Sequence, residues 1–201
     1  SEYVEAMDGN DTIWANGGDD FIYGGNGQDI IFGVSGNNII NGDGGIDLLF
    51  GGTGNDNIDG GADNDTIYAK AGNNILNGGI NNDVIYVGTG RDAVDGGADT
   101  DTLRFDGGTQ RVVVNLGTTS LSYDSTSIAA NSFVNSWLTG GNTGSIQIGT
   151  VTNIENVDGT SFGDTIRGND SKNVISGYDG DDYVFASLGV DEIYGGNSTN
   201  G

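Results

Sequence analysis

From Ala6 to Arg104 the chain divides into eleven nine-residue units without insertion or deletion, and a large aliphatic side chain occupies the eighth position of every unit. That column is Ile13, Ile22, Ile31, Ile40, Leu49, Ile58, Ile67, Leu76, Ile85, Val94 and Leu103. The sixth position is polar and just as regular: Asp11, Asp20, Asp29, Asn38, Asp47, Asp56, Asp65, Asn74, Asp83, Asp92 and Asp101. Glycine dominates the first, second and fourth positions. Each unit therefore predicts a six-residue turn, where glycine accepts positive φ, followed by a three-residue strand whose middle side chain points inward. Two units make one coil, so residues eighteen apart stack in the same sheet and at the same edge. A fixed period of this kind marks a repeat architecture rather than an ordinary globular core.

The register breaks after Arg104. Arg111 to Leu116 reads as a strand with Val112, Val114 and Leu116 on one face. Residues 127–141 place Ala130, Val134, Trp137 and Leu138 near helical spacing before Gly140 and Gly141, which fits either a short amphipathic helix or a loop. Residues 146–157 return to strand-like character. The nonapeptide resumes at 159–167 and runs on with Ile166, Ile175, Val184 and Ile193 inward and Asp164, Asn173, Asp182 and Asp191 at position six. The expected organisation is an N-terminal roll over 1–104, a non-repeat linker or cover over 105–158, and a second roll over 159–201.

One aliphatic per nine residues is a thin core, and stacked aspartates repel one another. A hard divalent cation with oxygen ligands would bind the folded state and cancel those charges.

The units GGNGQDIIF (24–32), GGTGNDNID (51–59) and GDGGIDLLF (42–50) resemble the RTX nonapeptide, G-G-x-G-x-D-x-U-x, the motif that serves as a standard example of a Ca2+-binding parallel β-helix. The resemblance covers about three quarters of the chain and implies an all-β, right-handed parallel β-roll with Ca2+ between loops n and n+2. It implies carbonyl ligands from positions 2 and 4 of the first loop and 1 and 3 of the second, with both position-six carboxylates. On the odd-numbered loops these are Met7, Gly9 and Asp11 with Gly24, Asn26 and Asp29, then Gly25, Gly27 and Asp29 with Gly42, Gly44 and Asp47. The series continues through Asp43, Gly45 and Asp47 with Gly60, Ala62 and Asp65; Gly61, Asp63 and Asp65 with Gly78, Ile80 and Asp83; and Gly79, Asn81 and Asp83 with Gly96, Ala98 and Asp101. On the even loops it implies Asn16, Gly18 and Asp20 with Gly33, Ser35 and Asn38, and joins Asn38 to Gly51, Thr53 and Asp56. Gly52, Gly54 and Asp56 then face Asn74, and Asn74 faces Asp92. In the second roll Thr160, Phe162 and Asp164 face Gly177, Asp179 and Asp182, with Asp191 following.

The two edges are not equivalent. The odd column is all aspartate and has room for five ions, whereas each even-edge pair joins one carboxylate to one amide. Affinity rises with ligand charge, so the odd edge is expected to bind more tightly, and the whole chain to take roughly five to twelve ions. Asp63, Asn81 and Asp99 replace the fourth-position glycine, which predicts distortion of the later odd loops.

Position nine points outward, and on the odd units it carries Trp14, Phe32, Phe50, Tyr68, Tyr86 and Arg104. Five aligned aromatics beside Ile30, Leu48 and Val84 form a patch that calls for a cover or a partner. The expected cover is residues 105–158, including Phe133, Trp137 and Leu138; the alternative is another domain, a partner or a ligand.

Composition narrows the functional classes. Gly 39 with Pro 0 and a net charge of −23 fits a chain that is extended without metal and ordered with it. Such acidity argues against nucleic acid or an anionic membrane as partner. No apolar run of eighteen residues spans a bilayer, and the first ten residues lack the features of a signal peptide. His 0 and Cys 0 remove imidazole and thiolate metal sites. GTSFG (159–163) matches the G-x-S-x-G pattern, but a chain without histidine supplies no triad base, and no enzymatic role is expected.

The leading expectation is a calcium-binding module of a larger bacterial protein. By resemblance, it is exported through type I secretion and folds extracellularly, where it stabilises or presents the remainder. The chain stops within a repeat at Gly201, and so reads as a piece of that larger protein. The alternatives are a structural or adhesive segment of a surface-layer protein or adhesin, and a polysaccharide-binding module of a secreted carbohydrate-active enzyme.

Overall fold

In the computed structural model, residues 1–105, 111–123, 126–134 and 148–197 are described, and every regular element among them is a strand. The strands form an eleven-stranded and a nine-stranded sheet, filled alternately by the chain in the repeat blocks, and a separate antiparallel pair, Leu121–Tyr123 and Thr126–Ile128. In the repeat block all pairing is parallel and steps by eighteen residues. Ile22, Ile40, Ile58, Leu76 and Val94 align in one sheet, and Ile13, Ile31, Leu49, Ile67, Ile85 and Leu103 in the other. All eleven position-eight side chains are buried between the sheets. This is the parallel β-roll that the resemblance implies, with the eighteen-residue stacking that the period predicts.

Thr12–Trp14, Ile30–Phe32 and the strands from Asn156 onward have the expected three residues, but most strands of the first block are longer. Phe21–Asn26, Asn57–Ala62 and Thr66–Ala71 each continue through positions 1 to 3 of the next unit. Alternation along them turns position 1 inward as well as position 8, and Ala15, Ala69 and Val87 are buried there. The fourth-position substitutions do change the later odd loops: φ is 140°, 138° and 120° at Gly9, Gly27 and Gly45 but 79°, 78° and 83° at Asp63, Asn81 and Asp99, a left-handed region that Asp and Asn tolerate better than other residues with a Cβ.

The segment after Arg104 threads both sheets. In the nine-stranded sheet Thr102–Phe105 pairs with Asn156–Asp158, so Leu103 aligns with Val157 and onward with Ile175 and Ile193. In the other sheet Ala93–Ala98 pairs with Ile148–Thr152, followed by Ser132–Val134, Val113–Asn115 and Thr165–Arg167. Ser132–Val134 runs antiparallel to both neighbours, with Phe133 fully buried between Val114 and Gly149. A helix over 127–141 is thereby overturned in its described part, because strand pairing on both sides satisfies this backbone. Residues 135–141, with Trp137 and Leu138, lie outside the described residues. Val112, Val113, Val114 and Leu116 are all buried. At the far end of the stack Ile193 keeps the inward register yet is 46% exposed.

Phe133 does not cover the aromatic ladder. It sits in the core of the opposite sheet, edge-on to Phe105. The rings stack on one another: successive rings of Trp14, Phe32, Phe50, Tyr68 and Tyr86 lie 4.0, 4.8, 4.8 and 4.2 Å apart with interplanar angles of 17° or less, and Trp14 at the free end is 59% exposed. Arg104 closes one end, its guanidinium over Tyr86 and its Nε donating to Asp158.

Candidate metal centre

Chain alternation between sheets puts the position-six residues at two edges, odd units at one and even units at the other. At each edge one carboxylate oxygen has a fixed structural task. The backbone amide of Asp11 donates to Oδ1 of Asp29 one coil on, and the pattern repeats from Asp29 to Asp47, Asp47 to Asp65, Asp65 to Asp83 and Asp83 to Asp101, each at 2.8 Å. The even edge does the same through Asp20, Asn38, Asp56, Asn74 and Asp92.

The second oxygen has no such task. Oδ2 of Asp11, Asp20, Asp29, Asp47, Asp56, Asp65, Asp83, Asp92 and Asp101 is buried without a hydrogen-bond partner. An orphaned carboxylate oxygen is costly to bury, and a column of them more so. Burial raises the pKa values accordingly: Asp65 is pushed up to about 8, and Asp47 and Asp83 to about 7, with neighbouring carboxylates adding to the shift. Burial also raises Asp92 and Asp101 to about 6.

Position-one glycine leaves the space into which these oxygens project. A Cβ on Gly24, Gly60 or Gly78 would lie 2.5, 2.6 or 2.5 Å from Oδ2 of Asp29, Asp65 or Asp83. The same point is approached by the carbonyl oxygen of the next coil's position one, that of Gly42 standing 2.8 Å from it at Gly24. Each such cradle thus gathers a carboxylate and a main-chain oxygen. Among the described residues no three acidic side chains converge, so a cation here must draw on main-chain carbonyls as well. Hard, flexible all-oxygen coordination of that kind suits Ca2+.

The even edge differs in two respects. Asn38 Nδ2 donates to Asp56 Oδ1 at 3.1 Å and Asn74 Nδ2 to Asp92 Oδ1 at 2.9 Å, so an amide already faces the next carboxylate. Ala15, Ala69 and Val87 carry side chains at position one, where Gly24, Gly60 and Gly78 leave a gap. On the odd edge only Ala6 does so. Ahead of the position-six residues a second ladder runs the opposite way on both edges: Asp19, Asn37, Asn55 and Asn73 accept from the backbone of residues 37, 55, 73 and 91 on the even edge, and Asn10, Asn64 and Asn82 from that of residues 28, 82 and 100 on the odd.

In the second block, Asp164 is fully engaged by protein. Its Oδ1 accepts from the Val112 amide at 2.7 Å and its Oδ2 from the Thr160 amide at 2.6 Å. Asp182 Oδ2 is buried and unpartnered like those of the first block.

The model of the RTX calcium-binding nonapeptide repeat matches residues 1–31, 32–67, 41–76, 68–103 and 158–193, well over half the chain. The chain belongs to the RTX calcium-binding nonapeptide repeat family. A search among curated proteins found no match. RTX repeats bind Ca2+ at multiple sites, and the RTX β-roll is a structural calcium-binding module rather than a catalytic fold. No helix among the described residues is long and apolar enough to cross a membrane.

Glu155 is the residue of this RTX edge that the motif misses. It accepts from the Asp101 amide at 3.0 Å, in the place of a position-six aspartate. The signal was present: Glu155 stands nine residues before Asp164, in frame with the second block.

Proposed function

We propose that this RTX segment is a Ca2+-dependent folding module of a larger secreted protein, with the odd edge as its principal binding edge. The observation that carries the reading is the column of buried, unpartnered Oδ2 atoms on Asp11, Asp29, Asp47, Asp65, Asp83 and Asp101. Bound Ca2+ supplies positive charge to those oxygens and joins successive coils. From Asp29 to Asp101, the chain's own part is to hold each carboxylate in place through its Oδ1 bond, to leave a glycine cradle beside Oδ2, and to keep the apolar column dry behind it.

Before export, a chain of net charge −23 with so thin a core favours the extended state; where Ca2+ is abundant, binding drives folding by mass action. Type I secretion and an extracellular setting follow from the family's habit, and this module has no catalytic role of its own. Calorimetric Ca2+ titration of Asp47→Ala and Asn38→Ala tests the edge assignment. Asp47→Ala is expected to lose more affinity and more sites, because in the family's ligand pattern it removes a carboxylate shared by two ion sites; equal losses contradict it.

A second reading, a stiff spacer within an adhesin or surface-layer protein, is favoured by hydrogen bonding that continues through the intervening segment into the second block. Glycan recognition by the ladder is disfavoured. Its ring faces are spent on one another and leave mainly edges to stack against a sugar.

A further inference from the structure

The odd-edge column does not end with the last regular repeat. Leu103 pairs with Val157, so Glu155 stands two residues before an inward valine just as Asp101 stands two before Leu103. Its Oε2 accepts from the Asp101 amide at 3.0 Å, the task that Asp101 Oδ1 performs for Asp83 at 2.8 Å.

The loop that delivers Glu155 is built differently. At Gly24, Gly42, Gly60 and Gly78 the approaching carbonyl belongs to the next coil's position one, five residues before its aspartate; at Gly96 it belongs to Asn153, two residues before Glu155. The shorter approach is turned by a φ of 49° at Asn153, whose Nδ2 is anchored on Asp95 Oδ1 at 2.7 Å. One additional methylene in the glutamate then extends the carboxylate back to the column. Asp101 is fully buried, and its unpartnered Oδ2 lies 2.7 Å from where a Gly96 Cβ would project, on the side that Asn153 O also approaches.

We propose that Asp101, Glu155 and the Asn153 carbonyl form a further divalent-cation site that clasps the intervening segment and second block onto the first. The proposal rests on the odd edge being the principal Ca2+ edge. Glu155 lies outside both stretches matched by the repeat family, 1–103 and 158–193, so the motif does not assign it. Two carboxylates beside a main-chain carbonyl suit a hard cation. The strands joined here, Thr102–Phe105 and Asn156–Asp158, are distant in the chain, and closing so long an excursion has an entropic cost that a shared ion offsets.

Ion counting by native mass spectrometry on the full chain in saturating Ca2+, with hydrogen exchange over 156–176, tests it. Glu155→Gln keeps an acceptor for the Asp101 amide while removing the charge. It is expected to carry at least one ion fewer, and its 156–176 amides to exchange about tenfold faster or more while 30–87 stay unchanged. An ion count and exchange pattern equal to wild type overturn the proposal. If that variant fails to order its second block at all, Glu155→Asp decides: its shorter side chain should shift the Ca2+ midpoint for protection of 156–176 upward and leave that of 30–87 in place. Coincident midpoints for wild type and Glu155→Asp overturn the proposal. A wild-type chain that takes up no Ca2+ sinks the odd-edge reading itself, before either variant is compared.

Discussion

The amide of Asp47 donates to Oδ1 of Asp65 at 2.8 Å, while Oδ2 of the same Asp65 is buried without a partner above Gly60. One carboxylate thus both zips two coils together and presents an oxygen to the space between them. On the proposed reading, the structural and metal-binding tasks are divided between its two oxygens.

That division makes Gly60→Ala a sharp probe. The new methyl would lie 2.6 Å from Asp65 Oδ2 and closer still to the Gly78 carbonyl oxygen, filling the cradle without removing any ligand. The Ca2+ concentration at half-saturation should rise about tenfold or more, a cost typical of disturbing a metal's supporting shell. Calorimetric titration reads this directly, and an unchanged midpoint would show that the cradle is not where binding occurs.

Acidity should act in opposite senses with and without metal. Asp47, Asp65 and Asp83 have folded-state pKa values raised by burial from 3.8 to about 7, 8 and 7. A raised pKa means the folded state holds protons more tightly than the unfolded one. In metal-free buffer their contribution to stability is therefore fully present below about pH 4 and is lost as pH rises through about 7 to 8. Circular dichroism of the metal-free chain should show more strand signal at about pH 4.5 than at about pH 8.5. Apparent Ca2+ affinity should instead increase over the same rise, because binding requires the carboxylates ionised. A flat profile in both conditions contradicts the assignment.

Phe50 is stacked on both sides, by Phe32 at 4.8 Å and by Tyr68 at 4.8 Å. Phe50→Ala should lower stability in saturating Ca2+ by about 1–3 kcal/mol, two ring pairs at about 0.5–1.5 each, measured as a shift in denaturant midpoint. Phe50→Tyr should be nearly neutral. Loss of Ca2+ affinity without loss of stability would mean the ladder serves the edges rather than the sheet.

The period made much of this legible from sequence. Ile13 through Leu103 had to be the core because nothing else in the unit is both large and invariant in position, and the aspartates had to stack because the aliphatics do. The aromatic ladder followed from the same eighteen-residue step. Position one escaped notice as an inward position because glycine usually fills it, and only Ala15, Ala69 and Val87 show which way a side chain there would point. Glu155 was hidden by a shortened loop and a longer side chain, two departures that cancel in space but not in a motif. The spacing of Ala130, Val134 and Trp137 suggested a helix, yet Phe133 finds its place between Val114 and Gly149 through pairings that no local pattern reveals.

The dependence of the fold on Ca2+ is tested most directly by circular dichroism of the whole chain at neutral pH, in metal-free buffer and then through a Ca2+ titration with Mg2+ as control. The account predicts little strand signal without metal, a cooperative rise with Ca2+ and a weak response to Mg2+, which is smaller and resists dehydration. A full strand signal in metal-free buffer, unchanged by Ca2+, would contradict it.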